Sequence, residues 1–125
     1  MNELAIVIPV FNEQSIIVRS IETIMAKLEL IDGLNGFELI IIDDGSSDST
    51  WEILRDKLCP AHTEIRAVRL SRNFGKEAAL CAGLEIADAR AVIIMDADLQ
   101  HPPSLIDKMY GIGREGGVAI VEAVK

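Results

Sequence analysis

Two aspartates, Asp96 and Asp98, stand two residues apart directly after the apolar run Ala91–Met95. A run that short and that apolar is typical of a strand buried on both faces, and residues two apart at its end point to the same side. Packing alone gives no reason for such a pair, because each negative charge raises the cost of ionising the other. A divalent cation that carries a phosphorylated ligand does give a reason, since Mg2+ and Mn2+ prefer carboxylate and phosphate oxygens. The alternative is a solvated acidic turn that caps the next helix.

Adjacent carboxylates also follow the apolar run Phe37–Ile42, at Asp43 and Asp44. Taken alone, this pair is more typical of a turn and a helix N-terminus, where negative charge suits the helix dipole. A carboxylate beside a strand end can equally accept a hydrogen bond from a base N–H or a ribose hydroxyl. Glu13, after the first apolar run, leaves the same two readings open: an acid in the first turn of a helix, or a nucleotide contact.

Positive and neutral ligating groups lie near two of these turns. Arg72 and Lys76 flank a strand-to-helix turn in a chain short of positive charge, which favours phosphate contact over a solvated basic face. The carbonyl of Gln100 could complete the metal coordination begun by Asp98. His101, beside two prolines, is predicted to be a loop residue.

Alternating strands and helices position these clusters. The apolar runs predict strands at Leu4–Val10, Phe37–Ile42, Ile65–Leu70, Ala91–Met95 and 118–124. Asn12 is predicted to cap a first helix that buries Ile17, Ile21, Ile24 and Leu28. A capping box of Ser49 and Glu52 predicts a second helix through Leu58, stopped by Cys59-Pro60. Two further helices are predicted at 77–87 and 103–114.

This alternation predicts a doubly wound, mostly parallel α/β sheet with helices on both faces. Ligands of such sheets lie at the carboxyl ends of the strands. Polar clusters follow four of the predicted strands, and no strand start carries comparable charge in the sequence. The carboxyl edge of the sheet is therefore the predicted ligand site.

Composition limits the possible functions. The chain has 125 residues, enough for one domain with a sizeable core, and a formal net charge of −8, which argues against nucleic-acid binding. No apolar run is long enough to span a membrane, and the start lacks the basic region of a signal peptide. Neither Cys59 nor Cys81 has a second thiol or a histidine at metal-ligand spacing. This predicts buried or unreactive free thiols in a reducing compartment. The sequence thus predicts a cytosolic chain.

Two common phosphate-binding motifs are absent from the sequence. The first strand leads into Pro9-Val10-Phe11-Asn12-Glu13, without the glycines of a dinucleotide-binding turn. No Gly-Lys-Ser/Thr loop occurs either, which excludes a Walker-type ATPase. A diphosphate would have to be held through a metal and side chains.

Four motifs in order resemble the inverting glycosyltransferase family 2, which has the GT-A fold. They are Ile6-Val7-Ile8-Pro9-Val10-Phe11-Asn12-Glu13, Ile42-Asp43-Asp44-Gly45-Ser46-Ser47-Asp48, Arg72-Asn73-Phe74-Gly75-Lys76 and Asp96-Ala97-Asp98-Leu99-Gln100-His101-Pro102-Pro103. The last motif is most similar to the branch that loads a sugar onto a polyprenyl phosphate.

The resemblance implies a role for each matched residue. The nucleotide-sugar, linked to UDP or GDP, would be bound by Pro9, Phe11, Glu13, Asp43, Asp44, Lys76, Asp96 and Ala97. Asp98 and Gln100 would ligate Mg2+ or Mn2+, and Asp98 would act in catalysis through that metal. A lipid phosphate acceptor is already an anion and could attack the anomeric carbon without a strong general base, whereas a sugar hydroxyl would usually need one.

The resemblance also implies that residues 1–125 form a single donor-binding domain that stops before the acceptor-binding half. Any general base would then lie beyond Lys125, the full-length protein would work at the cytoplasmic face of a membrane, and a free strand edge would favour homo-oligomers. Three alternatives stay open: a non-catalytic nucleotide-sugar-binding fragment, a transferase with a saccharide hydroxyl acceptor and, remotely, a phospho-receiver signalling domain.

Overall fold

A computed structural model describes residues 2–97 and, as backbone only, 119–122. Its strands are β1 (Asn2–Val10), β2 (Phe37–Asp43), β3 (Ile65–Arg69), β4 (Ala89–Ile94) and β5 (Ala119–Glu122). Its helices are α1 (Ile17–Glu29), α2 (Thr50–Ile53), α3 (Cys59–Ala61) and α4 (Lys76–Ile86), with a π-helical segment, Leu54–Leu58, that joins α2 to α3. The predicted helix at 103–114 lies outside the described residues.

The five strands form one sheet in the order β3-β2-β1-β4-β5, and every neighbouring pair is parallel. The strand order reverses between β1 and β4, which creates a crevice at their carboxyl ends where open α/β sheets bind ligands. Receiver domains have the order 2-1-3-4-5 instead. The topology therefore argues against the receiver alternative.

Both faces of the sheet are buried, as the uninterrupted apolar runs predict. On β1, Leu4, Ile6 and Ile8 pack in the cluster that contains α1 and the π-helical segment. Ala5 and Val7 alternate with them and pack in the cluster that contains α4. Helices on both faces confirm the doubly wound prediction.

The predicted start of the first helix is wrong. Ile16 occupies the N-cap position of α1, with no side-chain hydrogen bond to the helix. Asn12 instead has φ +52, a left-handed conformation that asparagine tolerates better than most residues. Its Oδ1 accepts hydrogen bonds from the backbone N–H groups of Ser47 and Asp48, 35 and 36 residues away. The asparagine ties two loops together and caps no helix of its own.

The second helix begins where it is predicted to, with Ser49 at the N-cap position of α2, but the predicted capping box and the predicted end of the helix are wrong. The Ser49 side chain makes no capping hydrogen bond, and Asp48 Oδ1 accepts from Thr50 N at 2.9 Å in its place. The helix continues past Cys59, because Pro60 lies in the first turn of α3, where the missing N–H of a proline would have no helical partner anyway.

Both cysteines are free, as predicted. Cys59 is half-buried, and burial raises the pKa of its thiol, which keeps it in the less reactive protonated form. Cys81 is exposed on α4. None of the helices in the described part of the chain combines the length and apolarity that a bilayer crossing needs.

Candidate functional site

A cavity opens at the carboxyl edge of the sheet, at the crevice between β1 and β4. It is lined by Pro9, Val10, Phe11, Glu13, Asp44, Lys76 and Asp96. The lining thus comes from the ends of β1, β2 and β4 and from the start of α4. Six of the eight residues predicted to bind a nucleotide-sugar lie in this wall, and Val10 joins them as a lining residue that the sequence did not single out.

Side chains tie the loop after β1 to the loop after β2. Asn12 N donates to Ser46 Oγ at 2.8 Å, and Ser47 N donates to Asn12 Oδ1 at 2.8 Å. Glu13 N donates to Thr50 Oγ1 at 2.9 Å. The backbone on either side of Phe11 and Glu13 is therefore fixed before any ligand arrives, which lowers the entropy cost of binding.

Asp44 ties the loop after β3 to the same wall. Its Oδ1 accepts from Phe74 N at 2.8 Å and its Oδ2 from Gly75 N at 3.1 Å. Gly45 packs against the same loop so closely that an added Cβ would lie 2.4 Å from the carbonyl carbon of Arg72. Three successive strand-end loops are thus joined into one wall.

An ion pair connects the start of α4 to the end of β4. Lys76 Nζ lies 2.8 Å from Asp96 Oδ1, and the lysine side chain is 54% exposed while that of the aspartate is 19% exposed. Both side chains line the cavity. The wall of the crevice therefore carries both members of an ion pair, an ammonium and a carboxylate.

Two of the predicted nucleotide-binding residues lie beneath the cavity wall. Asp43 is fully buried, and its Oδ1 accepts from the N–H and the hydroxyl of Ser46. Its Oδ2 has no hydrogen-bond partner among the described residues, although Arg69 Nε lies 3.7 Å away. Ala97 is 2% exposed and packs in the core. The predicted metal ligands Asp98 and Gln100 lie outside the described residues.

The charges of the cavity wall suit a cation. Three carboxylates, those of Glu13, Asp44 and Asp96, face one ammonium, that of Lys76. An anionic diphosphate would be repelled by this wall unless a cation accompanied it. Within the described residues, no three histidine, cysteine, aspartate or glutamate side chains form a metal site by themselves.

The hydrogen bonds between the strand-end loops are features of the candidate site that sequence reasoning missed. The run Ser46-Ser47-Asp48-Ser49-Thr50 is rich in short polar side chains that bond to nearby backbone, and this was the available signal. It indicated a turn, but it did not indicate that the turn binds residues more than 30 positions earlier.

A second cavity lies at the opposite, amino end of the sheet, lined by Asn2, Phe37, Glu38, Thr63, Glu64, Arg66 and Asp88. Glu38 is buried there, and its carboxylate accepts from an Arg66 guanidinium nitrogen at 3.1 Å and from Asp88 N at 2.9 Å. The prediction that strand starts carry no comparable charge is wrong. Four charged residues from three separate segments meet in this cavity, and a search of the sequence for local charge clusters cannot find such a group.

Comparison with known sequences gives a family match over most of the chain. The family model "Glycosyl transferase family 2" matches residues 5–123. An uncharacterized glycosyltransferase of Synechocystis is 45% identical over 116 residues. Undecaprenyl-phosphate 4-deoxy-4-formamido-L-arabinose transferases of Proteus mirabilis and Yersinia enterocolitica are 34% and 37% identical. These matches cover 91–93% of this chain but 35% of each relative, so the chain spans about a third of their length.

Solved structures show the same fold at lower sequence identity. A mannosyltransferase from Pyrobaculum calidifontis, in complex with GDP-Man and Mn2+, gives a TM-score of 0.72 at 21% identity over 87% of this chain and 32% of its own. Residues 1–349 of TarS from S. aureus, in complex with UDP, give 0.65 at 22% identity over 77% of this chain and 27% of theirs. These likenesses confirm the predicted doubly wound GT-A fold.

Proposed function

The chain belongs to glycosyl transferase family 2, and on that premise we propose that residues 1–125 form the donor-binding domain of an inverting glycosyltransferase. The enzyme would move a sugar from a UDP- or GDP-linked donor to a polyprenyl phosphate, with the help of a divalent metal. The single observation that carries this proposal is the cavity at the β1/β4 crevice, whose wall is tied together from three strand-end loops.

The donor would lie along the cavity wall. The Phe11 ring, 43% exposed beside Pro9, offers an apolar surface to the nucleoside base. Glu13 and Asp96 offer acceptors for ribose or sugar hydroxyls, and Lys76 offers a positive charge to the diphosphate. Of the Asp43-Asp44 pair, only Asp44 reaches the wall, while Asp43 and Ala97 would support it from below.

The oxygen-bearing side chains at and after the end of β4 fit a hard divalent cation. Asp98 and Gln100 would hold Mg2+ or Mn2+, since carboxylate and amide oxygens are the donors that these ions prefer. The acidic lining supports the same conclusion, because it needs an added positive charge before it can accept a diphosphate. A cation bound there would supply electrostatic stabilisation for the negative charge that develops on the leaving nucleoside diphosphate.

The proposed acceptor is a lipid phosphate. Two of the relatives are named as undecaprenyl-phosphate transferases, and a phosphate oxygen is anionic at neutral pH. Such an acceptor can attack the anomeric carbon without a strong general base. The full enzyme would then work at the cytoplasmic face of a membrane, with its acceptor site in the portion that the relatives have and this chain does not cover.

A second function is favoured by the short span of the chain. Because it covers about a third of its relatives, the chain by itself would bind the donor without transferring the sugar. Donor binding and sugar transfer therefore need separate tests.

Donor binding is tested by calorimetric titration of UDP and of GDP into the chain, each with and without Mn2+. We expect metal-dependent binding of one nucleotide, with loss of about tenfold or more in affinity for Asp98→Ala and for Asp96→Asn. Asp88→Asn, at the opposite cavity, is the matched control and should bind as the wild type does. A folded chain that binds neither nucleotide would contradict the donor site.

Sugar transfer is tested with a protein of the relatives' full length that contains this chain. Radiolabelled nucleotide-sugar, Mn2+ and undecaprenyl phosphate should yield a labelled lipid with an inverted anomeric centre. Label that enters only a saccharide would support the hydroxyl-acceptor alternative and overturn the lipid acceptor.

A further inference from the structure

We propose that Asn12 is a positioning residue: its side chain holds the loop after β1 so that the Phe11 ring lies at the crevice, in place to stack on the nucleotide base. The contacts of Asn12 are properties of the fold alone. The consequence for the base rests on the proposed function.

Asn12 has an unusual backbone conformation for a residue that carries a side chain. Its φ is +52, and among the described residues it is the only non-glycine residue with a positive φ. Left-handed backbone is costly for most residues, but asparagine adopts it more readily because its short amide can bond to nearby backbone. Such a conformation persists only where surrounding contacts fix it, and it occurs often at ligand sites. The chain therefore turns sharply at the residue that follows Phe11.

The loop after β2 binds Asn12 through both its backbone and its side chain. The backbone N–H of Asn12 donates to Ser46 Oγ at 2.8 Å. Its side-chain Oδ1 accepts from the N–H of Ser47 at 2.8 Å and from that of Asp48 at 3.3 Å. The Ser46 hydroxyl is fixed in turn, because it donates to the buried Asp43 carboxylate. These bonds link Asn12 to the end of β2 and hold its left-handed conformation.

The position of the Phe11 ring depends on this backbone. The side chain is 43% exposed, lines the cavity and belongs to neither apolar cluster of the described residues. On its amino side, Val10 O accepts from Asp44 N at 2.9 Å, and on its carboxyl side the loop after β2 binds Asn12. Because neither cluster holds the ring, these anchored neighbours must place it. Loss of the Asn12 side-chain bonds should therefore free the ring and raise the entropy cost of stacking on a base.

The first test measures the order of the loop by NMR relaxation in the nucleotide-free chain. In the wild type, the backbone N–H groups of Phe11 and Asn12 should have order parameters of about 0.85, as in rigid backbone. Asn12→Gly adopts a positive φ readily but lacks the Oδ1 acceptor, so the order parameter of Phe11 should fall below about 0.6. A value below about 0.6 in the folded wild type would overturn the proposal, and this arm stands even if the variant fails to fold. An unchanged value in folded Asn12→Gly would overturn it as well, because the side chain would then not hold the loop.

The second test measures whether Asn12 acts on the donor through Phe11. With Mn2+ present, Asn12→Gly and Phe11→Ala should each weaken binding of the nucleotide that the wild type binds, UDP or GDP, by about tenfold. The double variant should lose little more than either single variant, because the two residues act in series. Asn12→Asp should stay within about threefold of the wild type, because a carboxylate accepts the same N–H groups and aspartate tolerates the same φ.

The outcomes distinguish this proposal from the proposed function. Asn35→Gly, at an exposed asparagine whose N–H bonds to Glu3 near the start of β1, is the matched control and should bind as the wild type does. Additive losses in the double variant would overturn the link to Phe11, and a tenfold loss in Asn12→Asp would overturn the role of the Oδ1 acceptor. A wild-type chain that binds neither nucleotide, but whose Phe11 loses order in Asn12→Gly, would overturn the donor site while leaving Asn12 as the anchor of the loop.

Discussion

The two ends of the sheet each hold a cavity lined by charged residues, and they use those charges differently. At the amino end, the Glu38 carboxylate is buried and takes its hydrogen bonds from Arg66 and Asp88 N, which closes the cluster on itself. At the carboxyl end, carboxylates hold loops around an open crevice, and the Lys76–Asp96 pair stands in its wall. The amino-end cavity is the larger, about 350 Å³ against about 160 Å³. Size would therefore favour the amino end, and the charge of the lining does not separate the two cavities, because each has three carboxylates and one cation.

The connections of α4 explain the difference. Its C-terminal end is fastened to the sheet at the amino edge, because Arg66 donates to Ile86 O at 3.0 Å as well as to Glu38. An arginine that satisfies a carbonyl at a helix end is a structural contact. The N-terminal end of the same helix faces the crevice with Lys76. Charges at the amino edge should thus affect stability, and those at the carboxyl edge should affect binding.

The largest effect is expected where the loops of the carboxyl edge touch. Gly45→Ala should destabilise the chain by about 3 kcal/mol or more, because the residue has φ +73 and its new Cβ would meet backbone at 2.4 Å. Gly75→Ala is the matched control, with φ +104 but no atom within 4 Å of the added Cβ, and should cost about 1–2 kcal/mol. Urea unfolding measures both, and equal losses would show that the loops are not in rigid contact.

The next largest effect is expected at the amino end of the sheet. Glu38→Ala should destabilise the chain by about 2 kcal/mol, because it leaves Asp88 N without its acceptor and removes one of the two acceptors of the Arg66 guanidinium. Nucleotide affinity should be unchanged in the folded protein. Glu64→Ala, in the same cavity but outside these contacts, should change stability by less than about 0.5 kcal/mol. A loss of nucleotide binding in Glu38→Ala would show that the two ends are coupled.

Two matched ion pairs give the sharpest comparison. Lys76 and Arg66 are about equally exposed, at 54% and 49%, and each binds one carboxylate. Lys76→Met should lower nucleotide affinity about tenfold and leave stability within about 0.5 kcal/mol, because an exposed pair contributes little to folding. Arg66→Met should do the reverse, lowering stability while binding stays intact. Calorimetry and urea unfolding on both variants test this prediction. If the two variants change affinity and stability alike, the two ends of the sheet do not differ in the use of their ion pairs.

The sequence predicted what depends on local pattern. The apolar runs located β1 and β2 to within two residues, because strands buried on both faces are continuously apolar. The carboxyl edge followed from the alternation of strands and helices, and so did most of the residues that form the cavity wall.

The sequence could not predict what depends on distant side chains. Asn12 looked like a helix cap, yet it binds backbone groups 35 residues later. Asp43 and Asp44 could not be separated by pattern, although β2 extends through Asp43 and carries that side chain into the turn. The Glu38 and Arg66 contact brings together strands that are far apart in the chain.

The smallest expected effect concerns pH and the loops of the carboxyl edge. Partial burial works to raise the pKa of Asp48, but hydrogen bonds from Thr50 and from Gln14 N outweigh it and hold this pKa below its usual value. The pKa is therefore lower in the folded than in the unfolded chain, where it is about 3.9. The ionised Asp48 carboxylate therefore stabilises the fold above about pH 4. This stabilisation is lost as the pH falls through the pKa that Asp48 has in the folded chain. Asp48→Ala should cost about 1 kcal/mol at pH 7, as for a lost helix cap.

The pH dependence of that difference is the decisive measurement. Urea unfolding at pH 7, 5 and 3 should show that the difference in free energy of unfolding between wild type and Asp48→Ala becomes smaller toward the lowest pH. The reason is that protonation of Asp48 removes the same interactions in the wild type. Asp56→Ala is the control: a hydrogen bond from Arg55 lowers the pKa of Asp56 as well, but that pair is on the open surface and its removal should have no measurable effect. If the difference in free energy of unfolding between wild type and Asp48→Ala stays constant with pH, the charge of Asp48 plays no part in holding the loop. The loop ties would then rest on neutral groups, as in the contacts of Asn12 with Ser46 and Ser47.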